Sequence, residues 1–163
     1  MEKKAVQTRI LFICLGNICR SPAAENIFRE IAAKHKLKVE VDSAGTSSWH
    51  EGELPDHRMR NSLNKRGFKG LGCSRPFNPK KDFDQFDLII AMDDFNYIDL
   101  IQSARNEEDK AKIHRMKDFF LASSANEIPD PYYGGPTGFD HVIDLLVDAS
   151  EGLVNHLKSN PKH

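Results

Sequence analysis

The sequence predicts an α/β fold: a single-domain three-layer αβα sandwich on a four-stranded parallel sheet, with a Cys-x5-Arg loop after the first strand. Three observations carry that prediction. The unbroken apolar runs Ile10-Leu11-Phe12-Ile13 and Leu88-Ile89-Ile90-Ala91 read as strands buried on both faces. Segments with apolar residues at three- and four-residue spacing alternate with them, as βαβ units require. Finally, Cys14, Ser43 and Asp93 each stand at the end of a predicted strand, where sheets of this kind place their ligands.

Taken in order, the first strand spans about Thr8 to Cys14, and a helix follows from about Ser21 to His35 with Ala24, Ile27, Phe28 and Ile31 on one face. A second strand covers Lys38 to Asp42, and Ser43-Ala44-Gly45-Thr46-Ser47-Ser48-Trp49 reads as a loop. Pro55 to Lys65 is helical in pattern, opened by Leu54-Pro55-Asp56 and closed by Gly67. The third strand is Asp87 to Met92. Asp93 and Asp94 cap a helix through about Ser103. A weaker fourth strand lies near Lys112 to Met116. Phe139, Val142, Ile143, Leu146, Ala149, Leu153 and Leu157 then keep one helical stripe, with Ser159 to His163 as a tail.

Composition narrows the function classes. The chain has 163 residues, and Lys+Arg 23 against Asp+Glu 24 gives a net charge of −1, which argues against generic nucleic-acid binding. No apolar run is long enough to cross a membrane, and Met1-Glu2-Lys3-Lys4 leads straight into the first strand, with no room for a cleaved signal. Three cysteines are too few for a disulfide framework and fit a reducing cytoplasm.

The chemistry concentrates in Cys14-Leu15-Gly16-Asn17-Ile18-Cys19-Arg20-Ser21. Gly16 and Asn17 tolerate the unusual φ values of a tight cradle, and the following helix N-terminus favours an anion among the backbone N–H groups of Leu15 to Ser21. A helix N-terminus and a nearby cation favour thiolate over thiol, which makes Cys14 a candidate nucleophile. Arg20 offers a planar fork for two phosphate oxygens, and Ser21 can donate a hydrogen bond to the sulfur. Nucleophile, oxyanion cradle and charge clamp in one loop point to phosphoryl transfer through a cysteinyl phosphate. Two blander readings compete: Cys14 as a small buried residue at a strand end, and Cys14 with Cys19 as half of a metal site that has no second Cys/His pair.

Cleavage of a phosphate ester also needs an acid for the leaving oxygen. Asp130, stiffened by Pro129 and Pro131, is the candidate, against the alternative of a simple Asp-Pro turn. Trp49, Tyr132 and Tyr133 sit in loops and are either stacking surfaces for an aryl group or local packing. Cys19 could trap an oxidised Cys14 as a disulfide, or merely fill space beneath the loop. Cys73 reads as structural.

Together, Cys14 to Ser21, Asp42-Ser43-Ala44-Gly45-Thr46 with Trp49, Pro55-Asp56 with Arg58, and Asp130-Pro131-Tyr132-Tyr133 closely resemble the low-molecular-weight protein tyrosine phosphatases along essentially the whole chain. The resemblance implies a metal- and cofactor-independent enzyme acting on phosphotyrosine proteins and small aryl phosphates, with inorganic phosphate as product and inhibitor and a monomeric, cytoplasmic habit with weak self-association. It makes Cys14 the nucleophile, Arg20 the phosphate clamp and Asp130 the general acid. By the same resemblance Asn17, Ser21 and Ser43 hold the loop and activate the thiolate, while Trp49, Tyr132 and Tyr133 wall the cleft. There is one departure: many members carry a histidine shortly before the third strand that supports the loop asparagine, whereas Gly72-Cys73-Ser74-Arg75-Pro76 has none and leaves Ser74 to supply part of that support.

Two rivals share parts of this pattern. A thioredoxin-coupled arsenate reductase of the same fold would need two more redox cysteines near the third strand, where only Cys73 stands. A non-catalytic phosphotyrosine-binding module would need neither Cys14 nor Asp130.

Overall fold

In the computed structural model, residues 7–131, 135 and 137–159 are described. Four parallel strands, β1 (Thr8–Cys14), β2 (Val39–Gly45), β3 (Leu88–Ala91) and β4 (Ile113–Arg115), form one sheet in the order β2-β1-β3-β4. Helices α1 (Arg20–Lys34), α2 (His57–Lys65), α3 (Pro79–Gln85), α4 (Asp94–Ser103), α5 (Glu107–Ala111) and α6 (Gly138–Ser159) make the connections and the outer layers.

Strand alternation sorts the core into two layers. Ile10, Phe12 and Cys14 of β1, with Leu88 and Ile90 of β3, turn towards α1, α2 and α6; Phe12 meets Phe28 edge to face at 5.9 Å. Leu11 and Ile13, with Ile89 and Ala91, turn to the other side and pack on Phe83 of α3 and Leu100 of α4. Every one of these strand residues is essentially inaccessible. An apolar run with no polar alternation therefore marks a central strand covered on both faces.

Several expectations shift at their edges. β2 runs on to Gly45, because Ser43, Ala44 and Gly45 pair in register with Phe12, Ile13 and Cys14; tertiary pairing overrides their loop-like composition. The helix expected from Pro55 begins at His57, with Asp56 as its N-cap accepting from Arg58 N at 2.8 Å. α3 and α5 were not expected: each has few residues and almost no apolar stripe, and each is nucleated by an Asn cap, Asn78 before Pro79 and Asn106 before Glu107. Ser159 closes α6 rather than starting a tail. Cys73, expected to be structural, is exposed.

Candidate active site

Strand β1 delivers Cys14 to the carboxyl edge of the sheet, and the chain then turns through Leu15 to Cys19 into α1. The turn needs a left-handed residue, and Asn17 supplies it at φ 57°. It also needs space on its sheet side. A Cβ on Gly45 would stand 2.7 Å from the Leu15 carbonyl oxygen and 3.2 Å from the Gly16 carbonyl carbon, so only glycine lets the end of β2 lie this close to the loop. Cys19, at the N-cap of α1, provides no side-chain cap.

Cys14 is 3 % exposed, and its sulfur lies 2.9 Å from Ser21 Oγ; Asn17 N donates to it at 3.3 Å. Behind the sulfur runs a directed relay. Asn17 Nδ2 donates to Ser21 Oγ at 2.8 Å and to Ser43 Oγ at 2.9 Å, and Ser43 Oγ donates to Glu25 Oε1 at 2.6 Å. Ser21 Oγ accepts from the amide and keeps its own proton, which a Cys14 thiolate, having none to give, would receive as acceptor. Asn17 Oδ1 accepts from Arg75 N at 3.0 Å, while Ser74 Oγ donates to Gly16 O at 2.9 Å. Thus main chain supports the asparagine in this segment without a histidine, and Ser74 holds the neighbouring carbonyl rather than Asn17 itself.

Arg20 is 5 % exposed, and its Nη1 donates to Asp93 Oδ2 at 2.6 Å and to Ile128 O at 3.2 Å. Burial opposes its charge, but Cys14, Asp93 and Asp130 outweigh that and raise its pKa. Asp93 thus does two jobs at once, because its other oxygen caps α4 by accepting from Asn96 N at 2.8 Å. Sequence reasoning found the cap and missed the clamp. The available sign was an acidic residue at the carboxyl end of β3, beside β1. Glu25, which anchors the relay one turn after Ser21, was missed as well; it also accepts from Arg29 Nη2 at 2.6 Å.

Cys14, Leu15, Gly16, Ile18, Cys19, Arg20, Trp49, His50 and Asp130 line one cleft of about 270 Å³. Predicted nucleophile, clamp and acid therefore share a cavity, and Trp49 stands at its wall with 76 % of its surface exposed. Asn17 and Ser21 are absent from the lining, since their side chains turn inward to the relay. Ser43 lies beneath it within β2. Cys19 lines the cleft as a free thiol; burial raises its pKa, helped by Asp56, Cys14 and Asp130. His50, not anticipated, packs over Gly16 and pairs through Nδ1 with Glu53 Oε2 at 2.8 Å. The expected wall residues Tyr132 and Tyr133 lie outside the described residues.

Known proteins resemble this chain in both sequence and fold. The family model "Low molecular weight phosphotyrosine protein phosphatase" matches residues 9–163. A Synechocystis protein named for the same family is 48% identical over 151 residues, covering 91% of this chain and 96% of that one. YfkJ of Bacillus subtilis, a low molecular weight protein-tyrosine-phosphatase, is 40% identical over 147 residues, 89% of this chain and 92% of its own. The crystal structure of a protein tyrosine phosphatase from Entamoeba histolytica, with Hepes in its active site, superposes with a TM-score of 0.91 at 46% identity, covering 95% of this chain and 99% of that one. With the family model spanning nearly the whole chain, Cys14 and the loop and helix that follow it included, the protein belongs to the low molecular weight phosphotyrosine protein phosphatases.

Proposed function

We propose that this phosphatase hydrolyses phosphotyrosine in proteins, and small aryl phosphates, by a two-step route through Cys14 with Asp130 as acid and then base. In the first step the Cys14 thiolate attacks phosphorus, the S–P bond forms, the P–O bond to the aryl group breaks, and Asp130 delivers its proton to the departing oxygen. In the second, water attacks phosphorus and gives a proton to the Asp130 carboxylate. The S–P bond breaks, and the sulfur leaves as thiolate onto the Ser21 hydroxyl and Asn17 N–H. Arg20 and the amides of Leu15 to Ser21 hold the equatorial oxygens throughout. Trp49 supplies a stacking face for the aryl ring.

The single observation behind this reading is that the Cys14 sulfur, held by Ser21 and Asn17, shares a cleft with Arg20 and Asp130. The roles of Leu15, Gly16, Ile18 and Cys19 in gripping phosphate follow from their place in the same loop. Cys19, so close along the chain, would serve as redox partner to Cys14. The reading further holds that the enzyme needs no metal or cofactor, that inorganic phosphate inhibits it as product, and that it works as a cytoplasmic monomer with weak self-association. Among the described residues, no helix is long and apolar enough to cross a membrane.

Turnover of an aryl phosphate with excess chelator tests the scheme. Activity should persist with chelator and vanish in Cys14→Ser. Asp130→Ala should slow an ester with a poor leaving group far more than a nitrophenyl ester. Undiminished activity in Cys14→Ser refutes the nucleophile, and equal losses on both esters remove Asp130 from the acid role.

A further inference from the structure

The segment Ser74-Arg75-Pro76, between α2 and α3, makes contacts out of proportion to its length. Ser74 Oγ donates to Gly16 O at 2.9 Å and Arg75 N donates to Asn17 Oδ1 at 3.0 Å, so it meets the loop at two successive residues. On its sheet side Gly45 N donates to Arg75 O at 2.8 Å and Phe77 N to Gly45 O at 2.7 Å, joined by a parallel bridge between Gly45 and Pro76. On its cleft side Ser74 N donates to Glu53 O and Gly52 N donates to Ser74 O, both at 2.8 Å. Ser74 is 4 % exposed.

The Arg75 side chain ties this segment down. Its Nη1 and Nη2 donate to the two carboxylate oxygens of Asp82 at 3.1 and 3.2 Å, and its Nε donates to Asp42 Oδ2 at 3.2 Å. Asp82, on α3, is 2 % exposed and also accepts from Asn78 N at 2.7 Å. Such a two-pronged pair fixes direction as well as distance.

What this fixes is which way the Asn17 carboxamide faces. An N–H aimed at one end of that group makes that end the oxygen and turns both amide protons towards Ser21 and Ser43. The Ser21 proton then stays available to a Cys14 thiolate 2.9 Å away. Reversing the carboxamide would set N–H against N–H at Arg75 and leave both serines facing an acceptor.

We propose that Ser74, Arg75 and Asp82 are positioning residues for phosphoryl transfer: Asp82 orients Arg75, whose main-chain N–H sets the Asn17 carboxamide, while Ser74 pins the Gly16 carbonyl, so the oxyanion cradle is preformed. The proposal rests on the phosphatase reading for its catalytic meaning. Its binding consequence can be measured without turnover, by calorimetric titration of the folded protein with orthovanadate.

Ser74→Ala removes the donor to the part-buried Gly16 carbonyl, and Asp82→Asn replaces a doubly bound carboxylate by a neutral amide. Each should weaken orthovanadate binding roughly tenfold, the scale of a buried polar group losing its partner, and raise KM for an aryl phosphate by a similar factor at temperatures far below melting. Ser74→Thr, which keeps the hydroxyl, should recover most of the affinity. Asp84→Asn, which breaks the 2.6 Å pair between α3 and Arg105 without touching the brace, should leave it unchanged. Wild-type vanadate affinity in both Ser74→Ala and Asp82→Asn overturns the proposal, and so does an equal loss in Asp84→Asn. Absence of wild-type turnover would instead strike the phosphatase reading, with the vanadate titration still deciding the brace.

Discussion

Replacing Ser21 by alanine should separate the two chemical steps. The hydroxyl sits 2.9 Å from the Cys14 sulfur and accepts the Asn17 amide at 2.8 Å, so its removal takes one donor from the sulfur and leaves one buried N–H unpaired. A hydrogen bond to a charged group contributes about 1.5–3 kcal/mol, which converts to roughly 10- to 150-fold in rate. That loss is not shared equally. In the proposed first step the sulfur gives up its charge, so the missing donor weakens the starting thiolate and the transition state in partly compensating ways. In the second the sulfur regains its charge, and the whole loss falls on the barrier. Stopped-flow release of nitrophenol should therefore show a burst near one equivalent per enzyme, with kcat down roughly 10- to 150-fold and kcat/KM much less affected. An equal fall in kcat and kcat/KM with no burst would show that Ser21 only shapes the loop.

Three further outcomes follow from the geometry. Asp93→Asn strips the partner from Arg20 in a pair whose side chains are 5% and 11% exposed; removing one member of a buried pair costs about 3–5 kcal/mol, so melting should fall by roughly 6–20 °C in scanning calorimetry, and a shift below about 2 °C would contradict it. Gly152→Ala would drive a Cβ into the Phe119 carbonyl oxygen, forcing α6 away from the 3-10 turn Met116–Phe119; overpacking of this kind costs about 1–3 kcal/mol, and unchanged stability in denaturant titration would refute the contact. Burial lowers the His114 pKa below its ordinary 6.5, with His156 adding and Asp118 opposing. The unfolded chain therefore binds that proton more readily, so the stability present above about pH 6.5 is lost as pH falls through 6.5 towards the folded value. His114→Asn should flatten this slope in denaturant melts, and an identical pH profile would rule the histidine out.

The parallel sheet was legible because its central strands carry no polar residue for burial to contradict. Cys14 and Arg20 could be expected near one another from a strand end and a six-residue step into a helix, whereas Asp130, whose Asp-Pro setting reads equally as a turn, joined them on the family resemblance; the three do line one cleft. Glu25, Asp93 and the Ser74-Arg75 brace were not legible. Their partners are 18 to 73 residues away along the chain, and no local pattern records which side chains a fold will bring together. The short helices α3 and α5 escaped for the opposite reason, since their caps were visible but their apolar stripe was too brief to distinguish from a loop.

The contact between Gly45 and the Leu15 carbonyl makes the receptor part of the sheet's rim rather than an appendage hung from it. With main chain packed on main chain there, the loop is held close against the end of β2, and on the proposed reading an anion would meet a cradle already formed. Rigid tetrahedral or trigonal-bipyramidal oxyanions should accordingly recover nearly their full intrinsic affinity, with little entropy spent on ordering the host. On the same reading, selectivity among substrates would fall to the outer walls, where Trp49 stands open to solvent.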